Sequence, residues 1–249
     1  MARRTDEGLR LIGHKGADRL EPGNTLASYI AGAEHGADTI EVDVLWTRDG
    51  HPHLPAAERT PLICAHDWPD AERRAHPTLT ETLDAFTRPP LDTVEIDLDL
   101  KLRGREDEVV AALAEAGLTD RAMISTMEVE SLRCVHALEP SLRLGWTYPR
   151  VTRDWTSRRW AAPAVFAALA AMRLRLPRIL AREAHALHVD SVWIYHRVVT
   201  PALARAAEAA DLELYAWTVD DLPTMRSLVE AGVTGLVSND PRLFEEFKD

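Results

Sequence analysis

Short apolar runs alternate with longer amphipathic stretches along the chain. The runs at 9–14, 39–44, 93–100, 122–126, 142–147, 186–189, 212–218 and 235–237 have the length and composition of strands. The stretches at 26–35, 79–86, 106–116, 129–138, 160–182, 201–210, 222–231 and 241–247 read as helices. Such alternation predicts parallel strands joined by helical crossovers. Strand–helix pairs repeated in this way over 249 residues have the size of a TIM (β/α)8 barrel, an α/β fold, expected as a single domain over 8–249. An open doubly wound sheet is the alternative topology.

Local signals agree with the periodicity. Gly36 and Gly232 each follow a helical run and precede a strand, where a C-terminal cap is wanted. Thr78, with Glu81 three residues on, predicts a capping box. Thr200-Pro201 reads as a helix opening. Two stretches break the pattern. Residues 50–66 form a polar, proline-containing excursion, which the turn Arg48-Asp49-Gly50 introduces as a hairpin or extended loop. Residues 158–182 are basic at intervals and rich in Ala and Leu. They read as a long barrel helix, with peripheral contact to an anionic membrane surface as the alternative.

Composition narrows the classes of function. A net charge of −11 argues against a general nucleic-acid binder, so a small-molecule partner is expected. An anionic substrate stays compatible, because a bound metal reverses the local field. The cysteines are Cys64 and Cys134, too few for a disulfide framework and suited to a reducing, cytoplasmic compartment. The polar start carries no secretory pattern, and no uncharged apolar run reaches the roughly 18 residues a membrane span needs.

In a barrel, chemistry sits at the C-terminal ends of the strands. There the first strand ends in His14-Lys15-Gly16, and the second carries Glu41-Val42-Asp43. Glu41 and Asp43 are two apart, so they share one face. Two carboxylates turned into a barrel repel, and a divalent metal with oxygen ligands resolves that conflict. The third strand places Glu95, Asp97, Asp99 and Lys101 on one face. Asp99 and Lys101, nearest the mouth, are expected to function, whereas Glu95 and Asp97 are expected to pair with other charges. His14 and His66 end strand-like runs beside these carboxylates. Phosphodiester cleavage needs a base for the nucleophile and an acid for the leaving alkoxide, which two imidazoles supply.

The ordered motifs resemble the glycerophosphodiester phosphodiesterase family. His14-Lys15-Gly16 is similar to its opening His-Arg-Gly, and Pro22-Gly23-Asn24-Thr25 to its Pro-Glu-Asn-Thr. Glu41-Val42-Asp43 followed by Thr47-Arg48-Asp49-Gly50 matches its metal pair and the turn after it. His66-Asp67 matches its second histidine, and Asp99-Leu100-Lys101 its Glu-x-Lys. Trp217-Thr218-Val219-Asp220 resembles its Trp-Thr-Val-Asn, and 235–241 echo its closing motif. The resemblance implies a TIM barrel that hydrolyses glycerophosphodiesters to glycerol 3-phosphate and an alcohol. It implies Glu41, Asp43 and Asp99 as ligands of Mg²⁺ or Ca²⁺, and His14 and His66 as the acid–base pair. It implies Lys15 and Lys101 as phosphate contacts and Trp217 as a wall of the pocket.

The chain departs from the family pattern at Lys15, Gly23, Asp99 and Asp220. Lys15 exchanges a bidentate arginine for a point charge. Gly23 removes a carboxylate that Glu21 stands ready to replace, Asp99 shortens a glutamate and Asp220 replaces an asparagine. The insertion after the second strand is much shortened, which implies an open mouth. Two alternatives to the leading reading follow, the first from that mouth and the basic 158–182 segment, the second from the Lys15, Gly23 and Asp99 departures. One is lysophospholipase D-like action on single-chain lipids at a membrane surface, and the other is a phospho-ligand-binding barrel without turnover.

Overall fold

A computed structural model describes residues 8–150 and 162–248. Its strands are β1 (Arg10–Gly13), β2 (Thr39–Val44), β3 (Glu95–Leu100), β4 (Ala122–Thr126), β5 (Arg143–Tyr148), β6 (Ser191–Tyr195), β7 (Glu213–Trp217) and β8 (Gly235–Ser238). Each pairs in parallel with the next, and β1 pairs with β8 to close the barrel. The expected barrel is therefore the observed one, and the open sheet is excluded.

Around it lie α1 (Leu26–Glu34), α2 (Trp68–Arg73), α3 (Leu79–Phe86), α4 (Glu106–Ala116), α5 (Val129–Leu138), α6 (Ala162–Leu187), α7 (Pro201–Ala209) and α8 (Leu222–Ala231). A 3₁₀ segment, Pro241–Phe247, follows β8. The caps form as the sequence indicates. Thr78 and Glu81 make the reciprocal capping box of α3, and Thr200 caps α7. Gly232 ends α8 at a φ of 98°, a conformation that a side chain would strain.

Two expectations need correction. The sixth strand is not at 186–189. Ala186 and Leu187 end α6, His188 turns with a φ of 54°, and the strand begins at Ser191. The helical periodicity of α6 runs on into this apolar stretch, while Ser-Val-Trp-Ile-Tyr supplies the β-branched and aromatic residues a strand prefers. The helix read at 160–182 is observed over Ala162–Leu187, while 158–161 lie outside the described residues. The excursion after β2 holds two 3₁₀ turns and the short helix α2, and Leu45 bridges Ile63 antiparallel beneath it.

Alternation along the strands divides the interior in two. Ile40, Val42 and Val44 of β2 and Ile96, Leu98 and Leu100 of β3 join the large apolar cluster under the helices. The opposite faces turn inward. There a smaller cluster of Ile12, Met123, Trp193, Tyr215 and Val237 fills the barrel. Gly145 of β5 makes room for the Trp193 indole, because a Cβ there would overlap the ring. The inward faces of β2 and β3 carry acids instead, and that polar sector builds the site.

Candidate active site

The register of β2 on β3 pairs Glu41 with Asp97 and Asp43 with Asp99. All four are buried. Such crowding of acids is costly without a cation. Lys101, just past the end of β3, supplies one. Its ammonium contacts Asp43 and Asp99 and lies 4.0 Å from Glu41. Burial opposes its charge, but Asp43, Asp99 and Glu41 together hold its pKa well above the ordinary lysine value.

The carboxylates divide in response. Burial also opposes the charge on Asp43, but Lys101 and a hydrogen bond from His66 hold it well below the usual carboxylate range. Burial and the neighbouring Asp43 push Glu41 well up, and burial raises Asp99. Glu41, Asp43 and Asp99 each turn an oxygen to within 4.8 Å of the others. Asp43 Oδ1 is fully buried and meets the Lys101 ammonium. An all-oxygen donor set of three clustered carboxylates fits a hard divalent cation.

Asp97 stands one layer deeper. It was expected to pair with another charge, but its partner is the Ser125 hydroxyl, which donates to Oδ2 at 2.7 Å. Burial and Asp99 raise its pKa well above the usual range. Glu95, at the N-terminal end of the strand, does pair with charges, meeting Arg10 and Arg143. Those residues lie at the far rim of the barrel, where a cavity of about 580 Å³ opens away from the acid cluster.

His14 directly follows β1, and its backbone N–H bonds Ser238 O at 2.8 Å. Its Nδ1 is 2.6 Å from Asn239 Oδ1. Burial and the adjacent Lys15 lower its pKa to about 4. His66 is exposed, and its Nδ1 lies 3.2 Å from Asp43 Oδ2. The N-cap of α2 fixes that turn, with Asp67 accepting from Asp70 N and the Trp68 indole donating to Trp46 O. His14 also interacts electrostatically with Asp43, so both imidazoles bear on one carboxylate cluster although they stand 52 positions apart in the chain.

Lys15 has a φ of 53°, and its backbone N–H donates to Glu41 Oε2 at 2.7 Å. Its ammonium pairs with Asp18 at 2.6 Å. Trp217 ends β7, with its indole N–H on Trp193 O and its ring tilted against Tyr195. Glu21 is exposed and does not stand in for the carboxylate missing at Gly23. Asn24 reaches the centre instead: its Nδ2 donates to Asp43 Oδ2 at 2.7 Å, and its Oδ1 accepts from Asp43 N. Beside His66 a cavity of about 310 Å³ opens between Lys15, Gly23 and Arg74.

Residues 14–54 and 72–243 match the Glycerophosphoryl diester phosphodiesterase family. This chain belongs to that family. Its members are phosphoric diester hydrolases, and this chain is an enzyme of that class. The matched stretches include His14, Glu41, Asp43, Asp99 and Lys101 but not His66, which rests on its geometry beside Asp43. A glycerophosphodiester phosphodiesterase of Caldanaerobacter subterraneus is 27% identical over 93% of this chain and 94% of its own length. One from Bacillus subtilis is 24% identical over 95% and 85%. Among solved structures, an Oleispira antarctica phosphodiesterase in complex with the product sn-glycerol-3-phosphate has a TM-score of 0.65, 20% identity, and coverage of 96% of both chains. A Parabacteroides distasonis glycerophosphodiester phosphodiesterase has a TM-score of 0.70, 16% identity and 95% coverage of both chains.

Proposed function

We propose that this enzyme hydrolyses glycerophosphodiesters to glycerol 3-phosphate and an alcohol, using Mg²⁺ or Ca²⁺ held by Glu41, Asp43 and Asp99. The observation that carries this reading is the meeting of two imidazoles at one buried acid cluster. The metal supplies positive charge to the phosphoryl oxygens. His14 and His66 move protons. One takes the proton of the attacking hydroxyl, of water or of the substrate's own glycerol, as its oxygen bonds to phosphorus. The other protonates the departing alkoxide as the second phosphorus–oxygen bond breaks. Lys101 adds charge beside the phosphate, Lys15 stands at the rim, and Trp217 walls the glycerol side. The opening beside His66 takes the alcohol.

Single His14→Ala and His66→Ala variants are expected to lose at least about a hundredfold in kcat on glycerophosphocholine. Near wild-type turnover in both variants would sink the assignment. Chelation should abolish release of glycerol 3-phosphate, and Mg²⁺ or Ca²⁺ should restore it and raise the melting temperature of the chelated protein. Unchanged melting on addition of either ion would count against the acid cluster as the metal site. Detection of glycerol 3-phosphate also separates this reading from a barrel that binds without turnover.

A specific observation favours a second substrate class, single-chain lipids presented at a membrane surface. On α6, Phe166 and Leu174 are 67% and 66% exposed. Arg173, Arg175, Arg178 and Arg182 share the exposed surface, and no acid occurs on the helix before Glu183. Interfacial helices combine apolar and basic residues in this way. Flotation with anionic vesicles at low salt tests it: wild type should float, and a Phe166→Asp/Leu174→Asp variant should not. No helix among the described residues is long and apolar enough to cross a membrane.

A further inference from the structure

Asp220 is a departure from the family motif, and the site described so far gives it no task. It lies just beyond β7 and is tied to the residues that follow β8. Its Oδ1 accepts from Asn239 N at 2.8 Å and from the Ser238 hydroxyl at 3.0 Å. Its Oδ2 accepts from Asn239 Nδ2 at 2.7 Å, with Arg19 3.6 Å away. On its other side, Asn239 Oδ1 meets His14 Nδ1 at 2.6 Å.

The hydrogen-bond roles in this chain are forced. An ionised carboxylate only accepts, so the Asn239 amide must turn its NH₂ toward Asp220. Its oxygen must then face His14. A reversed amide could still donate to an unprotonated Nδ1, but it would set its oxygen against Asp220 Oδ2 and forfeit the 2.7 Å bond there, so the Asp220 end fixes the orientation. An amide oxygen also only accepts, so the His14 atom that meets it must be N–H. His14 therefore carries its proton on Nδ1 when neutral and leaves the Nε2 lone pair free.

We propose that Asp220 is a positioning residue, which acts through Asn239 to hold His14 in the Nδ1–H tautomer with Nε2 as its proton-accepting atom. The proposal rests on the reading of His14 as an acid–base group. The partner that touches the imidazole is a neutral amide, and the negative charge stands one residue further out. His66, by contrast, meets the Asp43 carboxylate directly. The two histidines thus receive different support, His14 from a neutral amide and His66 from a carboxylate that meets its ring directly.

The test combines nitrogen NMR of ¹⁵N-histidine protein with steady-state kinetics on glycerophosphocholine. The His14 resonances are assigned by their loss in H14Q. Wild type is expected to show His14 as the Nδ1–H tautomer. D220A should show mixed tautomers and about a tenfold lower kcat, with KM changed less than about twofold. The exchanged pair D220N/N239D keeps a donor and an acceptor along the same path, and should regain both the Nδ1–H tautomer and most of the kcat. A D220A protein with wild-type tautomer and kcat overturns the proposal. Should D220A fail to fold, the exchanged pair decides: a folded protein with the Nδ1–H tautomer but no recovered kcat overturns it. H14Q separates the two readings. If H14Q keeps wild-type turnover, the acid–base role of His14 falls, whereas the tautomer in D220A still reports what Asp220 does to the ring.

Discussion

At the scale of single residues, Lys101 is the group on which the acid cluster most depends. It is the one side-chain ammonium in contact with Asp43 and Asp99, and it lies near Glu41. Removing one partner of a buried ion pair leaves the other charges uncompensated, at a cost of about 3 kcal/mol. Lys101→Met is therefore expected to lower the melting temperature of chelated protein, and added Mg²⁺ or Ca²⁺ should restore more stability to it than to wild type. Calorimetry with and without metal checks this, and equal metal-induced shifts in the two proteins would contradict it. The acids and histidines of the site were legible in the chain, because alternation fixes which strand residues turn inward and charge is conspicuous there. Asn24, Asn239 and Asp220 gained no role from the sequence. An amide carries no charge pattern, and its function depends on partners from other strand–helix units: Asn24 on Asp43, Asn239 on His14.

At the scale of elements, two local devices give measurable consequences. The capping box of α3 satisfies otherwise unpaired N–H groups, so Thr78→Ala is expected to cost about 1 kcal/mol in urea unfolding, with turnover unchanged. In α2, Asp70 accepts from Arg73 and Arg74. Burial would raise its pKa, but those guanidinium bonds bring it down from 3.8 to about 2. A carboxyl lowered by folding stabilises the protein above its unfolded pKa and loses that effect as pH falls through the folded value. The stability advantage of wild type over Asp70→Asn should be full above about pH 4 and fade toward pH 2. An advantage that grows on acidification would refute the pairing. Strong periodicity located most elements in the sequence. The sixth strand and α2 were missed for opposite reasons. One lies beside a helix whose apolar pattern overruns its end, and the other is too short to establish a period and is started by its Asp67 cap and Pro69.

At the scale of the whole molecule, the barrel is filled rather than hollow, and its two interior sectors constrain each other. Gly145 is the clearest point of contact between packing and shape. An added methyl would drive the Trp193 indole from its place beside Ser191. Gly145→Ala is expected to destabilise the protein by about 2 kcal/mol and to change tryptophan fluorescence, with both read in one denaturation experiment. Alternating strands and helices implied parallel pairing, but closure is not written in periodicity. It depends on β1 meeting β8, a contact between residues more than 200 positions apart. That meeting also settles how other molecules can approach. A sheet joined to itself offers no free strand edge, so nothing can add to it by extending its ladder of backbone bonds. A partner must engage helix surfaces such as that of α6, or the loops around the mouth, and its recognition must be written in side chains.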